Sequence, residues 1–232
     1  QRSIKLEPRM LTSHAKEILT DPEVDIVIEL IGGEEPALEY TKQAIIHNKH
    51  VVTANKEVIA KHGYELLSLA KEHSVDLRYE ASVGSGIPLI SPFLQDLAAN
   101  DISAIYAILN GTTNYILTRM SQEGLDFSVA LKQAQELGYA EANPANDIEG
   151  MDTAYKLAIL SSLAFHTAVN PQNIYCEGIS RLQARDFRYA KEFGYAIKLL
   201  AIAKRDGEAI EVRVHPAFIP EDSQLAKVDG VY

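Results

Sequence analysis

Between residues 24 and 80 the chain alternates short apolar runs with longer stretches whose apolar residues recur at helical spacing. The first run, Ile26-Val27-Ile28-Glu29-Leu30-Ile31, stops at Gly32-Gly33 and gives way to a helical stretch opened by Pro36. The unit then recurs: His50-Val51-Val52-Thr53 predicts a second strand, residues 57–73 a helix, and Asp76-Leu77-Arg78-Tyr79-Glu80 a third strand. Strands alternating with helices of this length predict βαβ units and a parallel sheet. Ligands of such sheets sit beyond the carboxyl ends of the strands. Here those ends are Gly32-Gly33, Ala54-Asn55-Lys56 and the residues after Glu80.

Further along, the pattern changes. Residues 102–110 predict a long apolar strand, and residues 113–123, 128–137 and 151–165 predict helices. Residues 198–204 and 209–214 read as two strands joined by a tight turn at Asp206-Gly207. This part is α+β, with the boundary somewhere in residues 81–92, taken as a division into 1–85 and 86–232. A dinucleotide-binding domain normally opens with G-x-G-x-x-G, whose glycines let the backbone approach the pyrophosphate. The only related string, Gly84-Ser85-Gly86, lacks the third glycine and follows the third predicted strand. The first domain is therefore expected to be partial and truncated at its N-terminus. The ending Val228-Asp229-Gly230-Val231-Tyr232 reads as a second truncation.

Composition narrows the partners. A net charge of -10, from 22 Lys+Arg and 32 Asp+Glu, comes with no basic cluster, which argues against nucleic acid. No apolar run approaches the ~20 residues that cross a bilayer, so no membrane is expected. The one cysteine, Cys176, excludes an internal disulfide framework, and residues 1–11 carry two Arg, a Lys and a Glu where a signal peptide would be apolar. A soluble, cytoplasmic protein fits these features.

The chemistry concentrates in Glu136-Leu137-Gly138-Tyr139-Ala140-Glu141-Ala142-Asn143-Pro144-Ala145-Asn146-Asp147-Ile148-Glu149-Gly150-Met151-Asp152-Thr153-Ala154-Tyr155-Lys156. Lys156 is the only Lys or Arg between Lys132 and Arg181, whereas five carboxylates fall between Lys132 and Lys156. Asp152 and Lys156 are four apart and share a helix face that is otherwise almost all apolar or small. One reading is an ordinary exposed pair worth ~0.3 kcal/mol. The other is a partly desolvated lysine serving as general acid, with leftover carboxylates to hold a substrate's ammonium group.

That run resembles the signature of the homoserine dehydrogenase family. So do Thr53-Ala54-Asn55-Lys56, Glu80-Ala81-Ser82-Val83-Gly84-Ser85-Gly86-Ile87-Pro88 and Asn110-Gly111-Thr112-Thr113-Asn114-Tyr115, in the family's order. The resemblance implies an α/β fold in which a truncated Rossmann-like parallel sheet precedes an α+β catalytic and dimerisation domain, and a homodimer. It implies reversible reduction of L-aspartate 4-semialdehyde to L-homoserine with NADP or NAD, toward threonine, methionine and isoleucine. Lys156 would be the proton donor and Glu141 the carboxylate that binds the amino-acid substrate. Tyr139, Asp147, Gly111 and Thr112 would complete the substrate pocket, and Asp152 would hold Lys156 or a water. Lys56 would lie near nicotinamide and substrate as a second candidate acid, and Gly32 would meet the cofactor. A sodium ion would be held by Glu80, Val83, Ser85 and Ile87.

Each position also has a plainer reading. Lys56 would be a solvated charge at a helix start, Gly32 and Gly33 turn glycines, residues 80–87 a structural turn, and Thr112 or Thr113 a helix N-cap. Tyr139, Asp147 and Asp152 would be loop or cap residues. The seven histidines form no cluster and read as surface residues. Two rival functions follow from the same features: a Schiff-base lyase using Lys156, or a non-catalytic core that dimerises through the strand at residues 102–109.

Overall fold

The period-2 and period-3.6 patterns become elements in the expected order in the computed structural model, which describes residues 6, 7 and 10–231. Residues 1–5, 8 and 9 of the charged leading segment, and Tyr232, lie outside the described residues. The chain divides into two units, residues 1–88 and 89–232.

The first unit runs α1 (Ala15–Leu19), β1 (Ile26–Glu29), α2 (Ala37–Ile46), β2 (His50–Thr53), α3 (Lys56–Glu72), β3 (Leu77–Arg78) and α4 (Ala81–Gly84). The strands form a parallel sheet in the order β1-β2-β3, with Val27 opposite Val51 and Val51 opposite Leu77. Val51 is wholly buried, as are Ala37, Ala44 and Ile45 of α2 and Val58 and Leu66 of α3. The alternate residues look outward: Ile26 is 58% exposed and Ile28 65%. Among the described residues the sheet thus buries one face under helices, with Ile26 and Ile28 exposed on the other. The third strand is shorter than the expected residues 76–80, because Ser82 bonds back to the Tyr79 carbonyl through both its N–H (3.0 Å) and its hydroxyl (2.6 Å), turning the chain into α4.

The second unit runs α5 (Ile90–Leu94), β4 (Ala104–Ala107), α6 (Gly111–Glu123), α7 (Phe127–Glu136), α8 (Ala145–Ile148), α9 (Met151–Phe165), β5 (Tyr175–Cys176), α10 (Ala184–Glu192), β6 (Tyr195–Asp206) and β7 (Ala209–Pro220). A mixed sheet, β4-β6-β7-β5, has only the β5–β7 pair parallel. Central β6 is buried from Ile197 to Ala203 on both of its faces, which explains its nearly unbroken apolar sequence.

Two strands differ from their predicted lengths. The long apolar strand expected over residues 102–110 shrinks to Ala104–Ala107, because residues 108–110 leave the ladder for contacts with α6 and α9. β7 runs on to Pro220 rather than ending at residue 214. Its outer neighbour β5 pairs only with Arg213 and Val214, so beyond that point the outer side of β7 is open and accommodates Pro216 and Pro220.

Candidate active site

In the second unit the site is built around one side chain, Asn110, at the switch from β4 to α6. Its Oδ1 accepts the Thr113 N–H at 2.8 Å and caps α6, so its Nδ2 must face the other way. There it donates to Asp147 Oδ1 at 2.8 Å and Asp152 Oδ2 at 2.9 Å. The cap expected of Thr112 or Thr113 thus falls to Asn110, because both threonines lie inside the helix and Asn110, just before it, reaches the N–H three residues on. The Thr112 hydroxyl donates instead to the Tyr139 carbonyl at 2.7 Å.

Asp152 and Lys156 stand one turn apart on α9, with Lys156 Nζ 2.9 Å from Asp152 Oδ2 and 2.8 Å from the Leu109 carbonyl. Side-chain exposure is 17% for Lys156 and 7% for Asp152, so this is not the exposed surface pair of the plainer reading. Breaking one partner of a pair this buried costs about 3–5 kcal/mol, because the other charge is left uncompensated. Two of the three ammonium N–H groups are directed at described acceptors.

Around this cluster, Gly111 and Thr112 form the first turn of α6, and the Tyr139 ring lies 5.1 Å from that of Tyr115. Asp147 sits in α8. Glu141 is exposed in the loop between α7 and α8, where its carbonyl accepts from Gln135 at 3.1 Å, and its carboxylate is not one of the two that Asn110 joins. The sequence pattern assigns Asn110 no role beyond its place in the run Asn110-Gly111-Thr112-Thr113-Asn114-Tyr115. Asn before a strand-to-helix switch is a capping signal, but the two carboxylates it bridges lie 37 and 42 residues away.

In the first unit, the ends of β1 and β2 are stitched together. Buried Glu29 accepts the Thr53 hydroxyl at 2.6 Å and the Ile31 N–H at 2.7 Å. Asn55 caps α3 through the Val58 N–H at 3.2 Å and donates to the Gly33 carbonyl at 2.7 Å. Gly32 and Gly33 take φ of +80° and +73°, so glycine is required for backbone reasons, and the space where a Cβ would stand is open at both. Lys56 is the first residue of α3, half-buried, beyond the end of β2.

Lys61 and His62 grip the next loop residue, Glu34, each at 2.7 Å, and hold its carboxyl below the usual value of 4.5. Glu80, Val83, Ser85 and Ile87 lie on α4 and the turn after it, where Ser85 has φ +52° and ψ -104° and the Ile87 N–H bonds the Gly84 carbonyl at 2.9 Å. A non-glycine residue in such a conformation costs about 1–3 kcal/mol. Among the described residues, no group of three or more His, Cys, Asp or Glu could hold a metal ion. No helix of the described residues is long and apolar enough to cross a membrane.

Comparison with known proteins gives one consistent result. Residues 88–232 match the family model for homoserine dehydrogenase and residues 2–80 the model for the homoserine dehydrogenase NAD-binding domain. A homoserine dehydrogenase of a Synechocystis species is 51% identical, over 100% of this chain and 54% of that protein. The crystal structure of a homoserine dehydrogenase from Thiobacillus denitrificans superposes with a TM-score of 0.92 at 50% identity, covering 95% of this chain and 51% of that one. A hyperthermophilic archaeal homoserine dehydrogenase solved in complex with NADPH has a TM-score of 0.79 at 30% identity, covering 94% of this chain and 62% of that one. The chain spans about half the length of the curated relatives it matches. With both family models matched over nearly its full length, the chain belongs to the homoserine dehydrogenase family and carries its Rossmann-type nucleotide-binding fold in the first unit.

Proposed function

We propose that this chain carries the catalytic region of an enzyme that reversibly reduces L-aspartate 4-semialdehyde to L-homoserine, in the route to threonine, methionine and isoleucine. The observation that carries the reading is the part-buried Lys156, two of whose three N–H groups are directed at Asp152 and the Leu109 carbonyl. The reduced nicotinamide nucleotide, NADPH or NADH, would when bound supply the hydride that reduces the aldehyde carbon and would leave as NADP or NAD. Lys156 donates its remaining proton to the oxygen as negative charge develops there, a contribution of roughly 10²–10⁴ in rate. Asp152 keeps the ammonium aimed, and Asn110 keeps Asp152 in place. The Glu141 carboxylate receives the substrate's ammonium group, with Tyr139, Asp147, Gly111 and Thr112 around it. Lys56 is the second candidate for the proton. The nucleotide fits the first unit at Gly32-Gly33, where positive φ and open space let it approach the backbone. For a sodium ion, Glu80 with main-chain oxygens of Val83, Ser85 and Ile87 offers the hard-oxygen donor set that such an ion takes. We further propose a cytoplasmic homodimer, for which the outer side of edge strand β4 is the pairing surface.

Oxidation of NADPH that depends on added aspartate semialdehyde, lost in Lys156→Ala with nucleotide binding kept, is the expected result. Retained turnover in that variant moves the proton to Lys56. Borohydride trapping of the aldehyde on Lys156, with no NADPH oxidation, sinks the dehydrogenase reading in favour of a lyase.

A further inference from the structure

The second unit buries another ammonium, Lys198 of β6, which is only 3% exposed and which the proposed reaction does not use. Its Nζ donates to the Val228 carbonyl, to Asp229 Oδ1 at 3.0 Å and to Asn114 Oδ1 at 3.4 Å. Asn114 in turn donates to the carbonyls of Val228 at 3.1 Å and Gly230 at 2.8 Å. The Gly230 N–H donates to the Thr118 hydroxyl at 3.1 Å, and Gln122 donates to Asp229 Oδ2 at 2.9 Å. At the far end, a Cβ on Gly111 would stand 3.4 Å from Val231 Cγ1.

Gln122, Thr118, Asn114 and Gly111 are spaced four, four and three residues apart, one stripe along α6. Residues 228–231 therefore form a strap that lies along that stripe, from Gln122 in the last turn of the helix to Gly111 in the first. The first turn is where Gly111 and Thr112 sit, next to Asn110. A buried ammonium is unfavourable unless its partners are in place, so Lys198 holds the strap in one register.

We propose that Lys198 is a positioning residue for the substrate end of the site. By locking the strap, it seats Val231 on Gly111 and fixes the first turn of α6, so that Thr112 and Asn110 meet the amino-acid substrate in a single orientation. The inference rests on the function proposed above.

The test compares the unmodified protein with Lys198→Met and the milder Asp229→Asn and Gln122→Ala, which loosen the strap from its exposed side if the first variant does not fold. Two readouts are taken: amide hydrogen exchange of residues 110–115, and the separate KM values for aspartate semialdehyde and NADPH. Loss of protection in the first turn, with KM for the aldehyde raised roughly tenfold and that for NADPH unchanged, is expected, since small misplacements of a positioning element act on the ligand it holds. Folded variants with first-turn protection and aldehyde KM both unchanged overturn the proposal. A fall in thermal stability alone, with both readouts unmoved, also overturns it, because a purely structural strap would do just that. If the unmodified protein shows no aldehyde-dependent turnover, the functional reading fails by itself, and exchange in the first turn alone decides whether Lys198 positions it.

Discussion

At the scale of single residues, Asn110 explains more of the site than any side chain singled out from the sequence. Its amide caps a helix with one end and joins two carboxylates with the other. Asn110→Ala removes the cap, worth about 1 kcal/mol, and takes a hydrogen-bond donor from the carboxylates of Asp147 and Asp152, at about 1–3 kcal/mol. The expected loss in urea denaturation is about 2–4 kcal/mol, and a loss within ~0.5 kcal/mol, the usual size for surface changes, would contradict the bridging role. Cys176 is the opposite kind of residue. Burial, and then the charge of Glu149, push its thiol up, and its Sγ–H points at the Glu149 carbonyl at 3.3 Å. Only the thiolate is nucleophilic. Iodoacetamide at pH 8 should therefore modify Cys176 more slowly than a free cysteine, and equal rates would refute this.

At the scale of elements, the loop from β1 to α2 depends on α3. Glu34 sits beyond the two positive-φ glycines and is gripped by Lys61 and His62. Its folded-state pKa is lowered, so it contributes stability that is present above the usual value of 4.5 and is lost as pH falls through the lowered value. Melting curves of Glu34→Gln and the unmodified protein should differ at pH 7 and converge in acid. A difference that persists undiminished at pH 3 would show that the carboxylate's charge is not what holds the loop. Within the same loop, Gly33→Ala meets no neighbouring atom but must hold a left-handed φ, at a cost of about 1–2 kcal/mol.

At the scale of the whole molecule, β1 and the two residues that follow it expose large apolar side chains, with Leu30 70% and Ile31 56% exposed beside Ile26 and Ile28. Contiguous apolar surface of this kind is a contact surface or an aggregation liability. The 232-residue chain should bind a hydrophobic dye, and Ile28→Thr should weaken that binding without lowering the melting temperature. Dye binding that is absent from the start would show this face to be covered.

The order of elements, the helical span Met151–Phe165, the strand His50–Thr53 and the shared face of Asp152 and Lys156 were legible in the sequence, because they follow from the 2.0 and 3.6 periods of the backbone itself. The same periods could not tell where a strand stops when its last residues are claimed from elsewhere, which is why residues 102–110 were read too long. Nor could they show that Asn110 reaches Asp147 and Asp152, that Leu109 anchors Lys156 from 47 residues away, or that Lys198 reaches the strap beyond β7. Those contacts arise only when elements distant in the chain pack in one register. Sequence by itself determined that Asp152 and Lys156 share one face of α9; tertiary packing decided which polar groups leave water together, and so which ammonium is paired beside Leu109 and which is committed to holding the strap.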